Sequence, residues 1–225
     1  MRRVLILTFL ILSLLALPSF AQGQEPKTPE EIRQYVDQRS KELWHVYFSE
    51  SVDSIRVGKK MLRHGPYTLA YKGNVVEKGS YDHGNRVGNW VFRNYHDMVE
   101  LRYDYTLRRP MYILQHENYT YDKDNNPCIF LGSPVVPFYF IMANVFYPQS
   151  EADNKHGGDV TLTINVDPSG RMSGYYIKQS STPRFAKAVE KAADRIPRDE
   201  WRWVPAKKDG KNVDGEYDIL IYFDN

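Results

Sequence analysis

Val160, Leu162, Ile164 and Val166 alternate with Thr161, Thr163 and Asn165. An apolar period of two leaves one face of a strand greasy and the other wet, so this run has to lie half-buried in a sheet. Asp167-Pro168-Ser169-Gly170 follows. Pro168 suits the second position of a tight turn, and Gly170 suits the left-handed residue that closes it. Gly158 to Ser180 therefore reads as an antiparallel hairpin. Thr182 is placed to cap a helix whose first position is Pro183, where a missing N–H does no harm. Phe185, Ala188, Val189, Ala192, Ala193 and Ile196 recur at steps of three and four, giving that helix one apolar face before Pro197 ends it. Tyr217, Ile219, Ile221 and Phe223 alternate in a last strand. A helix laid on a three-stranded antiparallel sheet buries both apolar surfaces. Pro137 to Ala143 reads as one more helix ahead of the hairpin, so the unit has the order αββαβ.

The rest of the chain divides by pattern. Met1-Arg2-Arg3 followed by apolar residues to Leu17 and by Ser19-Phe20-Ala21 reads as a secretory signal peptide over 1–21, too short for a full span. Without Arg2 and Arg3 the formal charge falls from +2 to zero, which gives no electrostatic case for nucleic acid. Residues 22–57 read as a linker and an N-terminal helix. That helix is opened by the capping box Thr28-Pro29-Glu30-Glu31, runs to about Val46, and turns Ile32, Tyr35, Val36, Leu43 and Trp44 to a core. Over 58–131 the pattern becomes short aromatic strands punctuated by glycine. Gly65-Pro66-Tyr67 and Val76-Glu77 return 23 residues later as Gly88-Asn89-Trp90 and Val99-Glu100. A fixed offset marks an internal repeat, each unit a hairpin that cannot bury its face alone. Residues 132–225 hold the αββαβ unit. The fold class is thus α+β: an N-terminal helix, an antiparallel β-meander of hairpins, then a domain with a three-stranded antiparallel sheet.

Two stretches resemble known families. Tyr147-Pro148, Gly158-Asp159-Val160, the Asp167-Pro168-Ser169-Gly170-Arg171 turn, the Ala-rich helix, Trp201 and Trp203, Pro205-Ala206, Gly210-Lys211 and the strand ending in Phe223 together resemble the C-terminal domain of TonB energy transducers. Gly79-Ser80-Tyr81-Asp82-His83-Gly84-Asn85-Arg86-Val87-Gly88-Asn89-Trp90 resembles a MORN-type repeat, with degenerate flanking units. The first resemblance implies a periplasmic, non-enzymatic domain that captures an extended peptide of an outer-membrane transporter, partly by strand addition. The family's peptide-proximal segments correspond here to Asn144, Phe146, Tyr147 and Pro148, and to the last strand with Tyr217, Ile219, Ile221 and Phe223. TonB transducers keep an uncleaved N-terminal helix, commonly with a histidine in it, and a proline-rich spacer. Here the apolar stretch has no histidine and ends in a cleavage site, and the repeat region replaces the spacer. A soluble TonB-like module is therefore expected in place of an energy transducer.

Motifs for chemistry are missing. The six histidines are scattered, and none is spaced from another or from Cys128 as metal ligands are. His83 and His96 are close enough to meet across a hairpin, and surface turns are the expected place for both. No nucleophile elbow, phosphate loop or dinucleotide fingerprint is present. Cys128, the only cysteine, is expected as a small buried apolar residue, and Trp201 and Trp203 as core. No catalytic residue, metal or cofactor is expected. The expected partner is an envelope protein, an outer-membrane transporter being one candidate. A homodimer through the same sheet edge is a second possibility, and membrane contact arises only through an uncleaved leader. The alternatives are a MORN-repeat scaffold binding protein, glycan or lipid, and a true TonB-type transducer with an uncleaved anchor.

Overall fold

The computed structural model describes residues 29–115, 118–120 and 122–224. The leader read over 1–21, the linker residues before the helix, the cap residue Thr28 and His116 lie outside the described residues. Packing divides the chain into two units at Gln38/Arg39. The described part of the first is the opening of helix α1 (Pro29–Tyr47). Among the described residues no helix is long and apolar enough to cross a membrane.

In the second unit, a seven-stranded antiparallel sheet follows chain order: β1 (Phe48–Val57), β2 (Lys60–Tyr71), β3 (Asn74–Asp82), β4 (Asn85–Arg93), β5 (Val99–Asp104), β6 (Arg109–Gln115) and β7 (Asn118–Thr120). The 23-residue offset is the hairpin repeat. Gly65 and Gly88 both take positive φ, 86° and 60°, at equivalent bends. Tyr67 and Trp90, then Leu69 and Phe92, occupy equivalent buried positions, and the Tyr67 and Trp90 rings lie 5.1 Å apart. Gly79 lets the indole of Trp90 lie flat on its backbone, because a Cβ there would sit 2.2 Å from the ring. Residues 48–57, expected as linker and helix, instead form the meander's first strand. Its burial is sparse, with only Phe48 buried and Val52 and Ile55 half-buried, so its apolar alternation is too thin to read.

The chain then enters β8 (Ile129–Phe130), α2 (Val135–Asn144), the short α3 (Gln149–Asp153), β9 (Gly158–Val166), β10 (Met172–Ser180), α4 (Pro183–Ala193), β11 (Trp203–Val204), β12 (Ala206–Lys208), β13 (Lys211–Val213) and β14 (Gly215–Phe223). The three-stranded sheet has the order β10-β9-β14, all antiparallel. Thr182 Oγ1 accepts the Phe185 N–H, as the capping pattern requires. The helix ends at Ala193 and not at Ile196: the N–H groups of Arg195 and Ile196 turn to Ala192 and Ala193 three residues back, a tightened final turn that spends the helix before Pro197. Trp201 and Trp203 are buried core residues. Burial pushes the Cys128 thiol up to about 12, so it packs as a small apolar group. Cys128 and Phe130, expected in the meander, enter the C-terminal core, while Ile129 between them packs against the meander core; Phe130 pairs with Trp203, and Asn126 bridges to Lys207.

Helix α2 is apolar but for its last residue, Asn144, and both of its faces are used. Val135, Tyr139 and Ala143 enter the meander core, while Ile141, with Val145 just beyond it, enters the C-terminal core. The polar link between these parts is Glu77. Its Oε1 accepts the Ser133 N–H at 2.9 Å and its Oε2 meets Arg86 Nη2 at 3.2 Å. Arg86 also donates to Leu131 O and Tyr105 Oη, and its guanidinium lies 4.3 Å over the Trp90 ring. Burial pushes the Glu77 carboxyl up, with Arg86 and the Ser133 N–H pulling it back. Burial alone would lower Arg86, but Glu77 and Tyr105 more than offset it and hold the guanidinium charged. Arg86→Met strands a buried carboxylate and is expected to lower unfolding free energy by about 3–5 kcal/mol. The double variant Glu77→Gln with Arg86→Met should recover part of that loss. Urea unfolding measures both, and equal losses in the two variants would refute this role for the pair.

Candidate functional site

β14 is an edge strand. It pairs with β9 along its whole length, from Gly215↔Val166 to Phe223↔Gly158, and among the described residues no strand pairs with its other side. An unpaired strand edge presents a row of N–H and C=O groups. Its side chains alternate. Ile219, Ile221 and Phe223 are buried, whereas Glu216, Asp218, Leu220 and Tyr222 are exposed.

The exposed face is pinned across the sheet. Asp218 accepts from Thr163 Oγ1 at 2.6 Å and from Lys178 Nζ at 2.8 Å, and Tyr176 Oη donates to Glu216 at 3.0 Å. Burial pushes the Asp218 carboxyl up, but Lys178 and Thr163 outweigh it and hold the group below the ordinary carboxylate range. The exposed face of the strand is thus tied to its neighbour β9 and, across it, to β10.

A groove of about 610 Å³ runs beside this strand. Tyr217 to Leu220 and Tyr222 form one wall. Tyr71, Lys72, Asn74 and Tyr95 from the meander form the other, with Pro134, Val135 and Phe138 also lining it. Lys72 sits at φ 49° and Gly73 at φ 85°, a tight turn whose Lys72 N–H donates to Tyr47 O at 2.8 Å. The Lys72 ammonium lies 5.2 Å from the Tyr47 ring and 5.3 Å from the Tyr71 ring. Tyr95 is 65% exposed and stands on a loop shaped by Asn94, whose Oδ1 accepts the N–H groups of His96 and Met98. The groove therefore offers tyrosine faces, one cation and an open backbone edge.

The residues singled out from the sequence fall into two groups. Asn144 is buried and saturated: its Oδ1 accepts from Ser40 Oγ and Arg195 Nε, and its Nδ2 donates to Phe140 O. The Tyr147 ring meets Phe185 and Phe223 edge-on, each at 5.5 Å, and its hydroxyl donates to His156 O. Pro148 precedes α3 in an extended conformation. Phe146 is partly exposed beneath the Arg39 guanidinium, 4.9 Å from the ring. Ile221 and Phe223 point into the core, so β14 presents its backbone edge, Leu220 and Tyr222, while Tyr217 and Ile219 also line the groove. Sequence reasoning missed Tyr71, Lys72, Tyr95 and Phe138, and took in the last strand without singling out Leu220 and Tyr222. Leu220 and Tyr222 did carry a signal: both are apolar or aromatic at positions where strict alternation asks for polar residues. His83 and His96 both stand on exposed turns, as expected, and the His83 ring faces that of His64 with centroids 5.3 Å apart.

Tyr147 is held indirectly by a buried carboxylate. Glu151 accepts from Arg184 Nη1 at 2.9 Å and faces His156 Nδ1 at 3.0 Å, and His156 accepts the Tyr147 hydroxyl on its carbonyl. Arg184 first, then His156, hold the Glu151 carboxyl below its ordinary 4.5. A depressed carboxylate stabilises the fold fully above that ordinary value and loses the contribution as pH falls through its lower folded value. Urea midpoints measured above and below pH 4.5 should fall less steeply with acid in Glu151→Gln than in the parent; parallel profiles would rule out this contribution.

Residues 143–224 match the family model described as Gram-negative bacterial TonB protein C-terminal. Among solved structures, the chain is similar to the solution NMR structure of the Pseudomonas aeruginosa TonB CTD, at 22% identity over 36% of this chain and 78% of that one, with a TM-score of 0.24. No curated protein matches the chain.

Proposed function

We propose that this chain, which carries a TonB C-terminal-type domain over residues 143–224, is a non-enzymatic binding protein of the cell envelope. It takes up an extended peptide of an envelope protein along β14. TonB C-terminal domains are protein-interaction domains of envelope systems, and that supports an envelope protein as the partner. The observation that carries the reading is the edge of β14, unpaired among the described residues and opening onto a groove. An incoming strand satisfies the free N–H and C=O groups and places alternate side chains against Leu220, Tyr222 and the tyrosines of the far wall. An outer-membrane transporter is the partner the family suggests, and the periplasm, reached through the leader read over 1–21, is the compartment. β10 is the sheet's other edge, but the groove lies along β14. The meander supplies Tyr71, Lys72 and Tyr95 to that groove. This gives the repeat region a part in recognition beyond support.

Site-specific photo-crosslinking in the native envelope tests the reading. A photoreactive residue at Leu220 or Tyr222 is expected to yield one shared protein adduct. The same residue at Tyr176 on β10 should yield little, and Tyr71→Ala with Lys72→Glu should reduce the adduct at both β14 positions. Equal labelling from Tyr176 would defeat the assignment to β14. An adduct of chain on chain alone would replace the peptide partner with a homodimer.

A further inference from the structure

Three potential metal ligands converge on the meander's rim, away from the groove. His64 lies near the middle of β2, Asp82 ends β3, and His83 opens the turn into β4. Two backbone constraints bring them together. β1 carries a bulge between Val52 and Asp53, and past it Asp53 stands opposite His64. The turn residue Gly84 donates its N–H to Arg63 O at 2.8 Å, hooking the β3–β4 turn onto β2 beside His64. His83 holds a left-handed conformation, φ 47°, which directs its ring to the same spot.

The ligand atoms lie close enough together to share one ion. Asp82 Oδ1 lies 2.7 Å from His83 Nδ1 and 3.3 Å from His64 Nδ1, and all three ligand atoms fall within 4.8 Å of one another. Tetrahedral zinc, with bonds of about 2.0–2.2 Å, separates its ligand atoms by about 3.3–3.5 Å. The Asp82–His83 contact has to open from 2.7 Å to match it; Asp82 and His83 are exposed and His64 is half-buried. The hydrogen bonds already present conflict. His64 Nδ1 faces a donor, the His83 N–H at 3.5 Å, and an acceptor, Asp82 Oδ1 at 3.3 Å. A protonated Nδ1 turns away from the first, and a lone pair there repels the second. A cation placed among the three atoms takes the lone pair and neutralises the carboxylate together. Asp53, opposite His64, adds negative charge on the same face of the sheet.

We propose that His64, Asp82 and His83 form a binding site for a borderline divalent cation of the zinc class. Two imidazole nitrogens and one carboxylate favour zinc, nickel or copper over magnesium or calcium. Three protein ligands leave a tetrahedral ion one open position, and the exposed side chains leave that position to solvent.

Isothermal titration of the full chain with zinc chloride is expected to show one saturable site, and magnesium chloride none. His64→Gln, Asp82→Asn and His83→Asn should each weaken zinc binding about tenfold or more, since even indirect ligand partners cost 10–100-fold. Asn tolerates the left-handed turn position of His83, so its melting temperature should stay close to the parent's. Amide NMR shifts give a readout independent of the variants: zinc should perturb residues 62–65 and 82–85 above all others. Absence of saturable zinc binding, binding that survives in the His64→Gln, His83→Asn double variant, or shifts centred on other histidines would each overturn the site.

Discussion

A carboxylate removed from water has to be answered, and Glu77 is answered from two directions. Arg86, nine residues away around the same hairpin, supplies the charge, and the Ser133 N–H, from the segment that leads into α2, supplies the second bond. Arg86 in turn spans Tyr105 and Leu131 O while lying on Trp90. In a low-dielectric setting such a cluster tolerates few alternative arrangements, because leaving any member unmet is expensive. The position of the 131–133 segment on the meander follows from this cluster, and with it the placement of α2. The Ser133 hydroxyl adds a second tie, donating to Arg93 O at 2.6 Å.

The groove is a consequence of that placement. The wall formed by Tyr71, Lys72 and Tyr95 and the wall formed by β14 come from chain segments far apart in sequence. They face each other because α2 is shared between two cores. β14 is tied down on its exposed face by the Lys178–Asp218–Thr163 contacts, and its other face is buried through Ile219, Ile221 and Phe223. A rigid edge facing a fixed aromatic wall loses little freedom when a peptide is added, which is what preorganisation means for affinity.

What could be read in the residues was whatever repeats within a short window. The β9–β10 hairpin, α4 with its Thr182 cap, the last strand and the 23-residue hairpin repeat all carry local periods, and the structure has them. Residues 48–57 were illegible because Ser, Glu and Asp fill half of a strand whose burial is slight. The joining of residues 126–130 to Trp203 and Lys207 was illegible because two-residue pairings leave no period. The site followed the same rule. Tyr147 and Phe223 were singled out as peptide-proximal, yet their rings pack on each other and on Phe185, while the groove's far wall depends on contacts between segments that no local pattern encodes. His64 and His83 are nineteen residues apart and meet through a strand bulge and a turn hydrogen bond, neither of which leaves a spacing signature.

No residue of helix α2 is fully exposed: six are buried and four half-buried, Phe138 among them at the groove. Val135, Tyr139 and Ala143 serve one half of the molecule, and Ile141 serves the other. Severing the polypeptide on either side of this helix exposes a greasy cylinder on one fragment and opens a trench in the other. Dissection into separately expressed halves would therefore report on damaged pieces, and the protein is better interrogated by point changes within the intact chain.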